Sequence, residues 1–168
     1  MTDDPACCFN IGVAAHTQRK MRYFLDTEFT DFVDSELISI AIVSDDGREF
    51  YAELTDFNEA ACSGFVRKYV LPQLGTHPGH SMSRVQLRGE LLAWLSQAPR
   101  KPKPVLCFDY QGDLDLVLSL LGGKLPPGWG HQNVSQKINL ERADAYYAEH
   151  GGRHHALHDA KANLHAFM

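Results

Sequence analysis

The stretch Leu25-Asp26-Thr27-Glu28 sets two carboxylates two residues apart, at the exit of the strand-like run Met21-Arg22-Tyr23-Phe24-Leu25. If the strand continues, its period of two puts Asp26 and Glu28 on one side of a sheet, where like charges repel. A cation held between them would relieve that repulsion. Two solvated acids at an exposed strand end are the plainer alternative, because Asp-x-Glu is a short pattern. A second candidate, Asp113, opens a helix just after the apolar run Val105-Leu106-Cys107-Phe108. A helix N-cap or first-turn acid fits Asp113 equally well, and Asp109 and Asp115 are close rivals. The third is Arg153-His154-His155-Ala156-Leu157-His158-Asp159-Ala160, which places Asp159 early in an apolar terminal helix. His154 falls five residues before it, on the approach loop.

These acids need strands that end together and helices that start beside them. Residues 21–26 read as a buried strand. Residues 36–44 and 48–54 follow as two more, joined by the hairpin signal Asp45-Asp46-Gly47. Asp56 can cap a helix over about 60–71, ended by Pro72 and Gly75. Ser83 caps another, with Val85, Leu87, Leu91, Leu92 and Leu95 at helical spacing. A fourth strand is expected over 104–109, a helix over 113–121 stopped by Gly122-Gly123, and a Pro/Gly loop over 124–131. A short fifth strand within 133–138 and helices over 140–150 and 156–167 complete the chain. The expectation is an α/β fold, a mixed five-stranded sheet flanked by helices. Residues 1–20 show neither period and read as a flexible N-terminal extension to a single domain over 21–168.

Composition narrows the function classes. The chain has 168 residues, 44% hydrophobic and 22% charged, as for one globular domain. A formal net charge of -5 argues against nucleic-acid binding through a broad basic face. Local basic features are Arg84 and Arg88, at i,i+4 on one helix, and the loop Arg100-Lys101-Pro102-Lys103, read chiefly as solvated surface. No run approaches the ~20 apolar residues of a membrane span, so no membrane partner is expected. Cys7, Cys8, Cys62 and Cys107 form no CxxC pair and no disulfide framework. With no secretory pattern in the first twenty residues, the cytoplasm is the expected compartment.

In chain order, a hydrophobic strand with Asp26-x-Glu28, a strand followed by Asp113, and His154-x4-Asp159 on a terminal helix resemble the DEDDh (DnaQ-like) 3′–5′ exonucleases. The resemblance runs from about residue 21 to the end. The stretches MRYFLDTEF, ELISIAIVSDDGREFYAEL and HHALHDA look especially like the small bacterial and mycobacterial-type DEDDh exoribonucleases. It implies an RNase H-like fold and metal-dependent hydrolysis of phosphodiester bonds from the 3′ end. Two Mg²⁺ or Mn²⁺ ions would be held by Asp26, Glu28, Asp113 and Asp159, with Asp26 bridging and His154 as general base. Thr27 and Phe29 would touch substrate, Phe29 as a wedge for base stacking. The implied partners are single-stranded RNA 3′ ends or short 3′ overhangs, DNA as well, and a second copy of the chain. Two departures stand out. Asp109-Tyr110-Gln111-Gly112-Asp113 occupies the place where many relatives have Asn, two residues, Phe and Asp. Phe29-Thr30-Asp31 follows Glu28 where Thr-Gly is usual. Asp109 and Asp115 therefore remain alternatives to Asp113, and His155 and His158 to His154.

Three other readings compete. A haloacid-dehalogenase-type phosphatase would use Asp26 and Thr30, with Gly112-Asp113 as its late acidic motif, but it gives His154-x4-Asp159 no role. A zinc site in His150, His154, His155 and His158 lacks a second ligand cluster at conventional spacing. A catalytically silent nuclease-fold module that binds RNA would leave a costly cluster of like charges unused.

Overall fold

Every residue of the run LISIAIVS is buried, without polar alternation. A strand covered on both faces must lie inside a sheet with a layer on each side. The computed structural model describes residues 20–168, so the extension expected over 1–20 lies outside the described residues except for Lys20. The strands are β1 (Lys20–Phe29), β2 (Leu37–Ser44), β3 (Glu49–Leu54), β4 (Ser81–Met82), β5 (Lys103–Phe108) and β6 (Gly130–Asn133). They form one sheet in the order β4-β3-β2-β1-β5-β6. β1, β2 and β3 pair antiparallel, while β4, β5 and β6 each join in parallel. This is the mixed α/β sheet flanked by helices that the sequence implies, consistent with an RNase H-like fold, but with six strands rather than five. β4 has only two residues, too few to show alternation. The strand expected within 133–138 lies earlier, at Gly130–Asn133. Its sequence, GHQN, has no apolar residue to mark it, and it is recruited by backbone pairing from Val105↔Gly130 to Phe108↔Asn133.

One face of the sheet, with Tyr23, Leu25, Ile40, Ile42 and Phe50, packs on two helices. These are α2 (Arg84–Ser96), through Leu87, Leu91 and Leu95, and α3 (Gln111–Leu121), through Leu114, Val117, Leu120 and Leu121. On the other face Ala41, Val43 and Tyr51 meet Ala156, Leu157 and Ala160 of α5 (Ala156–Ala166). Small residues on that side of α5 let its axis lie close to the sheet. Helix α4 (Leu140–His150) packs along α5, and α1 (Gly64–Tyr69) covers Ile38 through Val66.

Ser83 caps α2 through a full capping box with Gln86. The helix expected over 60–71 is broken into three pieces. Asn58 caps a 3₁₀ turn, Glu59–Ala61, Cys62 is extended, and Ser63 caps the short α1. A second 3₁₀ turn, Leu71–Gln73, follows with Pro72 inside it. Asp56 serves the next helix instead, its two carboxylate oxygens accepting the N–H of Arg84 at 3.0 Å.

Leu91 is fully buried between α2 and the sheet, whereas Val85 on the same helix is 82% exposed. Leu91→Ala should destabilise the protein by about 2–5 kcal/mol, and Val85→Ala by less than about 0.5 kcal/mol. Urea unfolding of both variants checks this, and equal effects would contradict the packing described.

Candidate active site

Because β1 and β5 run parallel, their C-terminal ends leave the same edge of the sheet. The pairing Phe24↔Cys107, continued by two residues, sets Asp26 beside Asp109. Alternation along β1 then divides the work. Leu25 faces α2 and α3, and Thr27 shares its side, where its hydroxyl donates to Asp113 Oδ1 at 2.6 Å. Asp26 and Glu28 face the α5 side, which carries Asp159 in its first turn. Both oxygens of Asp159 are held. Tyr147 of α4 donates its hydroxyl to Oδ1 at 2.7 Å, and the backbone N–H of His154 donates to Oδ2 at 3.1 Å. Two carboxylate triads result, Asp26–Glu28–Asp159 and Asp26–Asp109–Asp113, with ligand atoms inside each within 4.8 Å of one another. Asp26 belongs to both.

These groups line one cleft of about 500 Å³. Asp26, Thr27, Glu28, Phe29, Asp113, His154 and Asp159, all singled out from the sequence, are on its wall. Thr27 is 4% exposed and its hydroxyl is committed to Asp113, so its side chain orients that carboxylate. Phe32, Phe65, Asp109 and Tyr110 are also on the wall. Phe29 stacks on Tyr110 (5.9 Å, 21°) and meets Phe32 edge-on (5.3 Å, 78°). Gly112 makes this arrangement feasible, since a Cβ there would run into the Tyr110 ring. Phe32, Phe65 and Tyr110 are 75%, 50% and 45% exposed, so no hydrophobic period announced them. The only sequence signal was the position of Tyr110 next to Asp109. Tyr147 gave none.

The neighbouring histidines separate clearly. His154 sits at the cleft with its ring edge-on to Phe65 at 4.8 Å. Its backbone is left-handed, φ +64°, a conformation that costs a residue with a Cβ about 1–2 kcal/mol. His155 turns away, is buried, and stacks on Tyr51 at 4.9 Å. The Tyr51 hydroxyl donates to Glu53 Oε1 at 2.7 Å, and so accepts from His155 Nε2 at 3.1 Å. His158 packs against Gly152, where any Cβ would collide with its ring. Asp115 is exposed and accepts from Gln111 Nε2 at 2.9 Å. Neither histidine nor Asp115 lines the cleft. Among the described residues His150, His154, His155 and His158 make no ligand group, in contrast to the carboxylates.

Burial pushes Asp26 well above the usual carboxylate range, helped by the charges of Asp159, Asp113, Glu28 and Asp109. Burial and the charges of Asp159 and Asp113 push Glu28 up to about 8. Asp113 is raised to about 7 by burial, against the pull of the Thr27 hydroxyl. Asp159 is raised to about 6 by burial, against the donors Tyr147 and His154. Burial, with the charge of Arg153, holds His154 below its ordinary value. None of the ion pairs among the described residues involves these five acids. A crowded, all-oxygen donor set with no cation of its own fits a hard divalent ion.

No family model matches the chain. It is similar to two proteins named 3'-5' exoribonuclease from Mycobacterium tuberculosis, strains CDC 1551 / Oshkosh and H37Rv. Each is 46% identical over 78 residues, which is 45% of this chain and 46% of the relative. The match thus spans about half the length of these curated relatives. No helix among the described residues is long and apolar enough to cross a membrane.

Glu28 and Asp113 bind protons more tightly folded than unfolded, so stability held at low pH is lost as pH rises through about 7 and 8. His155, pushed down to about 4 by burial, has the opposite sign, but its effect is complete above its ordinary value of 6.5. The melting temperature of the metal-free protein should therefore fall between pH 6.5 and 8. Mg²⁺ or Mn²⁺ should raise it more at the upper end of that window. Thermal melts with and without EDTA check this, and a metal-free protein that gains stability across the window would contradict it.

Proposed function

We propose that this chain is a metal-dependent 3′–5′ exonuclease that hydrolyses phosphodiester bonds at RNA 3′ ends. The observation that carries the reading is the meeting of Asp26, Glu28, Asp113, Asp159 and His154 in one cleft. Four acids from three separate elements and one imidazole are what in-line displacement at phosphorus requires. The choice of RNA and of the 3′ end rests on the printed name of the two M. tuberculosis relatives and on the motif resemblance.

Asp26, Glu28 and Asp159 would hold one Mg²⁺ or Mn²⁺, and Asp26 with Asp113 and Asp109 the other. Bound there, the ions supply the positive charge on which the attacking and leaving oxygens depend. His154 takes the proton of the attacking water. Its lowered basicity keeps the imidazole neutral and able to accept at neutral pH. Thr27 and Tyr147 fix the carboxylates of Asp113 and Asp159. Phe29, Phe32 and Tyr110 offer ring faces for the terminal bases of a single strand. The antiparallel β1–β2–β3 meander departs from the doubly wound parallel sheet on which a haloacid-dehalogenase-type phosphatase would depend.

The test uses 5′-labelled single-stranded RNA and matched DNA with Mg²⁺, Mn²⁺ or EDTA. A metal-dependent ladder shortening from the 3′ end, faster on RNA, is expected. No shortening by the folded protein with either metal would overturn the reading and favour a silent RNA-binding module. Asp26→Asn and Asp159→Asn should abolish the ladder while leaving the metal-free protein folded, as a cooperative thermal melt checks. Retained cleavage in both variants would contradict the assignment. His154→Ala should lower kcat about 10²–10⁴-fold with Mn²⁺ affinity unchanged. Asp113→Asn should cost more activity than Asp109→Asn, since the Asp113 carboxylate is the one fixed by Thr27.

A further inference from the structure

His154 reaches the cleft only by way of its left-handed backbone, which its own side chain does not favour. Both of its polar backbone groups are tied. The N–H donates to Asp159, and the carbonyl accepts from Gln73 Nε2 at 2.9 Å. The same amide nitrogen donates to the carbonyl of Arg153 at 3.0 Å and to that of Tyr69 at 2.7 Å. Two amide hydrogens are thus shared among three carbonyl oxygens, two of them on the turn that carries His154. Gln73 lies half-buried in the 3₁₀ turn Leu71–Gln73, just after α1. That helix supplies Phe65 and Tyr69, whose rings flank the imidazole at 4.8 and 6.0 Å. Residues 65–73 therefore form a seat for His154, with rings against its side chain and one amide on its backbone.

We propose that Gln73 is a positioning residue for His154, holding the 153–154 turn so that the imidazole faces the carboxylates rather than solvent. The inference rests on the reading of His154 as the proton acceptor. Without the amide, φ of His154 relaxes toward the extended region and the ring swings away from the water. Misplacement by about 1 Å is enough to lower turnover about 10²-fold.

Gln73→Glu keeps shape and replaces the donor by an acceptor facing three carbonyl oxygens. Gln73→Met removes the donor without adding charge, and guards against a folding defect in the first variant. Each should lower kcat about 10- to 100-fold, with KM for RNA and Mn²⁺ affinity unchanged. Placed in a His154→Ala background, neither should lower kcat further, because Gln73 acts through the missing ring. Without RNA, the His154 ring signal in the NMR spectrum, identified by its loss in His154→Ala, should shift in both variants. A further fall in the double variants, KM and Mn²⁺ affinity moving together with kcat, or an unmoved ring signal would each overturn the proposal. A wild-type protein that shortens no RNA defeats the functional reading alone, and the ring signal then still decides the role of Gln73.

Discussion

Asp26, Glu28, Asp109, Asp113 and Asp159 crowd one cleft, and among the described residues no cationic side chain pairs with any of them. Burial makes Asp26, Glu28, Asp113 and Asp159 resist ionisation, and the acids lie close enough to oppose one another. A loose scaffold would relieve that repulsion by moving apart. The fold prevents it by fixing the acids to separate rigid elements. Asp26 and Glu28 ride on the central strand, Asp109 directly follows its parallel neighbour, Asp113 lies on α3 and Asp159 on α5. Rigid elements hold chemistry more sharply than loops, and buried groups with preset hydrogen bonds need little reorganisation when charge arrives.

Much of the remaining structure works to keep those elements in place. β2 and β3 are buried almost throughout, so the sheet has a covered centre on which β1 rests. Glu53 of β3 accepts the N–H of Gly75 on both carboxylate oxygens, at 2.8 and 3.1 Å, which anchors the segment after the Leu71–Gln73 turn. Through Tyr51 the same glutamate reaches His155, at the N-terminus of α5. The backbone that carries His154 is therefore tied to the sheet on one side of the residue and to Gln73 on the other.

Local order was legible wherever a residue's immediate neighbours decide it. Ser83 marks the start of α2, and Gly122, left-handed at φ 84°, marks the end of α3. The strand pattern of 36–44 and 48–54 was plain because burial there is continuous. Legibility failed where pairing partners are distant. GHQN becomes a strand only because β5 offers an open edge, and Asp56 serves α2 because the chain between them loops back.

The sequence by itself determined which side chains are available for chemistry and which face of β1 carries them, since alternation and motif spacing are properties of the chain alone. It named Asp26, Glu28, Asp113, His154 and Asp159, and it left Asp109, Asp115, His155 and His158 as alternatives. Only the tertiary structure places these residues relative to one another. The parallel register of β5 brings Asp109 to Asp26 and leaves Asp115 outside the cleft. The left-handed turn at His154 aims that ring at the cleft, while His155 is drawn toward Tyr51. Tyr147 and Gln73 contribute only through what they touch, and their partners lie 12 and 81 residues away. Contacts of that kind depend on the closure of the fold, which no local pattern encodes.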